Sequence, residues 1–221
     1  MSNIDKAIDA LRKGRFILMH DFDNREGETD LVISAEFVTP EKVKVMRKDG
    51  GGLICIAIGK ELSKKLGLPL MTDIHKASKN KYPVLSHLKE KGLKYDTRSS
   101  FSVTIDHRDT FTGISDKERA FTIREFGLLC KKNPNPMDFG RKFMSPGHVY
   151  LLVSSGLRKR QGHTELSAEL MELAGLIPTI VICEMLDDKT HKSLSKKKAL
   201  EYAKKHNLVF VDGDEIRLRC R

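Results

Sequence analysis

Apolar residues fall in short runs along the chain, separated by polar segments that mostly keep a helical spacing. Residues 3 to 13 place Ile4, Ala7, Ile8 and Leu11 on one side of a helix, with Gly14 as its stop. "RFILMH" reads as a buried strand and, after an acidic loop, "LVISAEF" reads as a second. Thr39 and Pro40 open a helix over "TPEKVKVMRKDGGG", which closes at the glycines. "LICIAI" is a strand and "KELSKKLG" a short helix closed by Gly67. The polar, poorly periodic residues 72 to 98 read as a loop-rich insertion. "FSVTIDH" alternates like a half-buried strand. Ser115 followed by Glu118 caps a helix over "SDKERAFTIREFGLLCKK", which "NPNPMD" breaks. "HVYLLVS" is a strand, "TELSAELMELAG" a helix, "TIVICEM" a buried strand, "SKKKALEYAKKHN" a late helix and "LVFV" a last short strand. Strands and helices interleave with no linker, repeat or low-complexity tract. The expectation is one domain over residues 1–221, α/β or α+β.

Composition narrows the class. Apolar residues make up 39% and charged residues 32%, enough for a real core and too ordered in character for wholesale disorder. No apolar run approaches the roughly 20 residues of a membrane span, and the N-terminus, which carries Asp5 and Asp9, has no apolar signal region. Cys55, Cys130, Cys183 and Cys220 include no CxxC pair, so a zinc knuckle or thioredoxin-like motif is not offered. Cys55 and Cys183 lie in apolar runs as buried thiols, and a reducing cytoplasm is expected. The formal net charge of +10 allows nucleic-acid binding, or lysine-rich helix faces around a locally cationic site. Much of the lysine sits in "KELSKKLG" and "SKKKALEYAKKH", which favours solvated helix faces.

Against that basic background, "DFDNREGETDLV" gathers Asp21, Asp23, Glu26, Glu28 and Asp30 around Arg25. In an extended chain Glu26, Glu28 and Asp30 point to one side. Their mutual repulsion is relieved by a hard divalent cation with oxygen ligands; the alternative is a solvated acidic turn. An EF-hand is excluded, because counting from Asp21 the sixth residue is Glu26 and the twelfth Val32. "RKRQGHTE" places cations before a Gly-His-Thr that opens a helix, which suits a phosphate, with His163 as metal ligand or proton carrier. The alternative is a basic surface loop capped by Thr164. His148 follows a Pro-Gly turn, Glu184 ends an otherwise apolar run, and "TFTGIS" offers hydroxyls. "GGGLIC" lacks the Lys-Ser/Thr ending of a P-loop. Together these residues suit metal-assisted acid–base chemistry on a small phosphorylated, oxygen-rich substrate.

"DNREGETD", "GGLIC", "TFTGIS", "SPGHV", "RQGHTE" and "VICEM", in this order, closely resemble the 3,4-dihydroxy-2-butanone 4-phosphate synthase family of riboflavin biosynthesis, over roughly residues 1 to 212. The resemblance implies a cytoplasmic lyase with an α+β fold, a mixed sheet and surrounding helices. It also implies the stand-alone form, because the chain ends soon after the synthase-like segment. The implied reaction takes D-ribulose 5-phosphate to L-3,4-dihydroxy-2-butanone 4-phosphate and formate. Its steps are enediolate formation, dehydration, skeletal rearrangement and loss of C4. Magnesium is implied, manganese being possible, with two ions per site when substrate is bound. A homodimer with sites near the subunit interface is implied, with no nucleic acid or membrane partner. Carried over residue by residue, Glu26 and His163 match the metal ligands. Arg25, Glu26, Asp30, Thr112, Arg160, Gln161, Gly162, His163, Thr164 and Glu184 match substrate-binding positions. His148, Glu184, Glu28, Asp21 and Cys55 match catalytic or site-lining ones. One departure is "LDDKTHKSLS", which lacks the glycine the family usually has after "CEM". Two competing readings are an RNA-binding module and a different metal-dependent sugar-phosphate enzyme. Against the first, there is no Trp and aromatics make up only 6%, which leaves little for base stacking. Formate release separates the second.

Overall fold

The chain opens with α1 (Asn3–Arg12), capped by Ser2 and followed by Gly14 in the left-handed region. The computed structural model describes residues 2–88, 96 and 98–220. β1 (Ile17–His20), β2 (Thr29–Ser34), α2 (Pro40–Asp49), β3 (Cys55–Ile58) and α3 (Lys60–Lys65) follow. Then come α4 (Met71–Ser78), α5 (Val84–His87), β4 (Phe101–His107), α6 (Asp116–Cys130) and α7 (Pro136–Lys142). The remainder is β5 (Phe143–Val153), α8 (His163–Leu173), β6 (Thr179–Glu184), the hairpin β7 (Leu186–Asp187) and β8 (Lys192–Ser193), α9 (Lys196–His206), β9 (Val209–Asp212) and α10 (Gly213–Arg219).

Seven strands form one mixed sheet in the order β4-β5-β3-β6-β2-β1-β9. β3 runs parallel to β5 and β1 parallel to β9, while the other pairs are antiparallel. Alternate side chains of the strands enter two separate cores. Leu18, Leu31, Ile33, Ile56 and Val181 pack against α2, α6 and α9. Ile17, Met19, Val32, Ala57 and Ile182 pack against α1, α8 and α10. The result is a helix–sheet–helix sandwich in which β2 is buried along its whole length. The expectation of a single domain with a mixed sheet and surrounding helices therefore holds. No helix among the described residues is long and apolar enough to cross a membrane.

Two local expectations need correction, and two elements go beyond the sequence reading. Residues 72 to 98 are not simply loop: α4 and α5 lie there, while residues 89–95 and 97 fall outside the described residues. "NPNPMD" ends α6 but also starts α7, because Asn135 accepts the main-chain N–H groups of Met137 and Asp138 and Pro136 occupies the first turn. α10 forms after the last strand, capped by Asp212. The "LDDKTHKS" stretch closes as the β7–β8 hairpin, with His191 at φ 58° in the left-handed conformation a glycine adopts more readily.

Candidate active site

Asp21 lies just past the end of β1 and is fully buried. Its carboxylate accepts the main-chain N–H groups of Glu26 (3.2 Å) and Glu28 (3.0 Å) and Arg25 Nη1 (3.0 Å). Its own N–H donates to the Glu28 carbonyl at 3.1 Å. Asp21 thus folds the acidic loop around itself, and three donors compensate an acid that would otherwise be costly inside. Gly27 at φ 65° makes the tight reversal possible.

The loop delivers Glu26 to His163, the first residue of α8. Glu26 Oε2 stands 3.4 Å from His163 Nδ1, and Asp30 Oδ1 stands 3.6 Å from His163 Nε2. Burial opposes a charge on His163, but Asp30, Glu26 and Asp21 together hold the imidazole up at about 9. Burial likewise opposes ionisation of Glu26, yet His163 and Arg25 hold its carboxyl down at about 2. Asp30 behaves differently. It is 1% exposed and neither carboxylate oxygen has a hydrogen-bond partner. Desolvation pushes it well above the usual carboxylate range, and repulsion from Glu184, Glu26 and Glu28 adds to the push that His163 resists. Glu184 sits directly opposite Asp30 in the β2–β6 register and is also raised, chiefly by burial.

A divalent cation fits this group. One ligand atom each from Asp21, Glu26 and His163 lie within 4.8 Å of one another. The donors are two carboxylates and an imidazole beside the orphaned Asp30 oxygens, a set that suits magnesium or manganese. Glu28 turns outward from it: its carboxylate takes the Ser193 hydroxyl of β8, and its carbonyl faces His163 Nε2 at 3.3 Å.

Two guanidinium groups flank the metal ligands. Gly162 N-caps α8, and a Cβ there would lie 2.5 Å from Arg160 Nη1 and 2.6 Å from Arg25 Nη2, so both arginines close over its backbone. Buried Glu165 shapes the loop by bonding Arg160 Nη1 (2.6 Å), the Ser155 N–H (3.0 Å) and the Gly162 N–H (3.3 Å). Thr164 is buried on the same first turn. Asp96 pairs with both Arg25 and Arg160, whose Nε lies 2.7 Å away. Sequence reasoning missed Asp96; the available signal was a lone acid in the basic stretch "KGLKYDTR".

Not every expected residue joins this group. Gln161 is exposed and lines a separate recess with Arg158 and Lys159. Cys55 is buried under the site, and burial, with Glu184 and Asp30 behind it, pushes its thiol far up, so it stays protonated. His148 and Thr112 have partners outside this group, Asp106 and Glu118 respectively. Cys55 is opposite Tyr150 on β5 and opposite Ile182 on β6, so His148 reaches the same end of the sheet as Asp30. Three strand steps separate β2 from β5, about 14 Å at the usual spacing. Thr112 lies in the exposed turn before α6, where Glu118 accepts its N–H (3.0 Å), its hydroxyl (3.0 Å), the Phe111 N–H (2.7 Å) and the Ser115 hydroxyl (2.9 Å). Beside His148 lies Asp106, a second residue the sequence did not single out.

With this geometry in view, the family model for 3,4-dihydroxy-2-butanone 4-phosphate synthase matches residues 5–218. The chain belongs to that family. Curated relatives of that name agree. One from Methanothermobacter thermautotrophicus is 47% identical over 96% of this chain and 93% of its own. One from Methanosarcina mazei is 50% identical over 97% of this chain and 89% of its own. Among solved structures, a family member from Candida albicans superposes with a TM-score of 0.76 at 29% identity, over 100% of this chain and 98% of its own. A family member in complex with two magnesium ions gives a TM-score of 0.77 at 30% identity, over 98% of this chain and 95% of its own. The family is one of lyases, and the chain is that of an enzyme.

Proposed function

We propose that the protein converts D-ribulose 5-phosphate into L-3,4-dihydroxy-2-butanone 4-phosphate and formate in riboflavin biosynthesis, using magnesium held by Glu26 and His163. The observation that carries this reading is the pair of half-buried Glu26 and buried His163 set directly beside two guanidinium groups at the start of α8. The arginines and the free N–H groups of that helix suit the phosphate of a sugar phosphate. Bound at Glu26 and His163, magnesium supplies Lewis-acid polarisation of the sugar carbonyl. Manganese shares the same preference for oxygen and imidazole ligands. The family member with two magnesium ions supports two ions per site. Asp30 and Glu184, both raised chiefly by burial, are suited to exchange protons with substrate carbon and hydroxyl groups. Low-titrating Glu26 stays a carboxylate ligand.

His148 is the remaining acid–base group, and it lies too far across the sheet to serve this chain's own Glu26–His163 pair. Its side chain is 41% exposed. The neighbouring turn carries Phe111 at 96% exposure and Ile114 at 52%, large apolar surface of the kind subunit contacts cover. These features support a homodimer in which His148 serves the site of a partner subunit. The test is proton NMR of the protein with ribulose 5-phosphate, with magnesium and with EDTA. A metal-dependent formate singlet is expected. Substrate loss without formate points to an isomerase or aldolase, and no turnover by folded, metal-binding protein overturns the reading.

A further inference from the structure

The turn that carries Arg160 also borders the recess lined by Gln161, about 700 Å³ in volume. The charges of that recess come from separate elements. Lys60 stands at the start of α3, Arg158 and Lys159 on the turn, and Arg217 on α10, with Glu169 of α8 as the one carboxylate among the described residues of the lining. Four cations against one carboxylate leave a surplus of three positive charges. The turn is tightly made. The Gly156 carbonyl, at φ 87°, accepts the N–H groups of Lys159 (2.9 Å) and Arg160 (3.2 Å), and a Cβ on Gly156 would lie 3.7 Å from Lys60 Cδ. Arg160 has its counter-ions in Asp96 and Glu165. Lys60, Arg158 and Lys159 form no ion pair among the described residues. Arg217 pairs with Asp214 at 2.5 Å and covers the Phe22 ring, 5.2 Å from its centroid, while its Nε is buried without a hydrogen-bond partner.

We propose that this recess binds an oligophosphate, a small molecule with two or more linked phosphate groups, at a site separate from that of the sugar phosphate. Like charges gathered in a concavity repel one another and focus a positive field, and a multivalent anion relieves the repulsion. Arg158 and Arg217 offer planar forks that match phosphate oxygens in pairs, and the two lysines add point charges. Because the cations stand on three different elements, phosphates at more than one point satisfy them better than a single phosphate does. Leu157 supplies apolar lining for an organic portion. A merely solvated basic face spreads its lysines along one helix, as α9 does. No aromatic ring lines the recess among the described residues, so a nucleic-acid base finds no stacking platform there. The inference goes beyond the proposed reaction and does not depend on it.

The test is titration calorimetry of the full chain with inorganic triphosphate, in EDTA so that magnesium does not complex the probe. Wild type is expected to bind triphosphate and to bind inorganic phosphate at least about 10-fold more weakly. The double variant Arg158→Ala/Lys159→Ala is expected to weaken triphosphate binding about 10- to 100-fold, and Lys60→Ala, on a different element, about 3- to 10-fold. Arg160→Ala is expected to leave it within about twofold, because its guanidinium belongs to the substrate side. Binding lost in Arg160→Ala but kept in the recess variants puts the anion in the active site and overturns the proposal. So does a wild type that binds no triphosphate, or that binds single phosphate as tightly. Binding of a short RNA oligonucleotide in place of triphosphate overturns it in favour of a nucleic-acid surface. With magnesium, formate production by the recess variants is expected to keep the wild-type KM. A KM that rises as triphosphate binding is lost puts the recess in the substrate's path and overturns the separateness of the two sites. If wild type releases no formate, the proposed reaction falls, and the calorimetry alone decides the recess.

Discussion

Asp30→Asn separates what the fold needs from what the chemistry needs. The Asp30 carboxylate is buried, lacks hydrogen-bond partners, and is pushed well above the ordinary range by desolvation against the pull of His163. A folded-state pKa above the unfolded one means that the native chain holds a proton the unfolded chain has lost. Stability from Asp30 is therefore full below the unfolded carboxylate range and drains away as pH rises through the folded pKa. Each pH unit in that window removes about 1.4 kcal/mol. For a chain of this size that is about 3–6 °C in Tm per unit. Asparagine does not titrate, so the Tm of the metal-free variant is expected to gain on wild type by that amount per unit from about pH 4.5 upward. Magnesium is expected to stabilise both proteins, because Glu26 and His163 are intact in each, while turnover in the variant collapses. Differential scanning calorimetry with EDTA, then with magnesium, checks both. Melting curves that stay parallel across the pH range, or a variant that loses ground as pH rises, refute the reasoning.

Three further outcomes follow from the same geometry. Gly162→Ala keeps an allowed backbone, φ −96° and ψ 175°, but pushes on the Arg25 and Arg160 guanidinium groups; KM for the sugar phosphate is expected to rise about 10- to 100-fold through lost charge-assisted bonds, with Tm nearly unchanged. Because His163 is held protonated up to about 9 and ligates only when neutral, magnesium binding at neutral pH is expected to release a proton, seen as a buffer-dependent heat in titration calorimetry. Heats identical in two buffers count against His163 as a ligand. Phe126→Ala empties a fully buried position packed edge-on against Phe139 and Phe143 and is expected to lose about 3–5 kcal/mol in denaturant melts.

The parts legible from sequence are those fixed by local pattern. The strands through "LICIAI" and "TIVICEM", the Ser115 cap and the Gly67 stop depend on neighbours within one turn or one pleat, and they fold as read. The acidic loop was legible as chemistry because so many carboxylates in a basic chain need a reason. Asp106 and Asp96 were not legible. Each is an ordinary acid in its own segment and acquires a role only by pairing across a long sequence separation, with His148 or with two arginines. The distance between His148 and Glu26 was hidden for the same reason: motifs give order along the chain, whereas strand order decides who are neighbours. α7 was masked by its prolines, which break one helix and begin another.

The three-strand gap between His148 and the Glu26–His163 pair has a genetic consequence. If subunits share sites as proposed, each chain contributes two incomplete halves, and a chain lacking one half can still lend the other. His148→Ala and Glu26→Gln, each inactive alone, then complement when co-expressed or refolded together. In a twofold dimer the mixed species carries one doubly damaged site and one intact site. Random pairing makes half the dimers mixed, so the mixture recovers about a quarter of wild-type activity. Two alleles that each abolish riboflavin synthesis would together support growth.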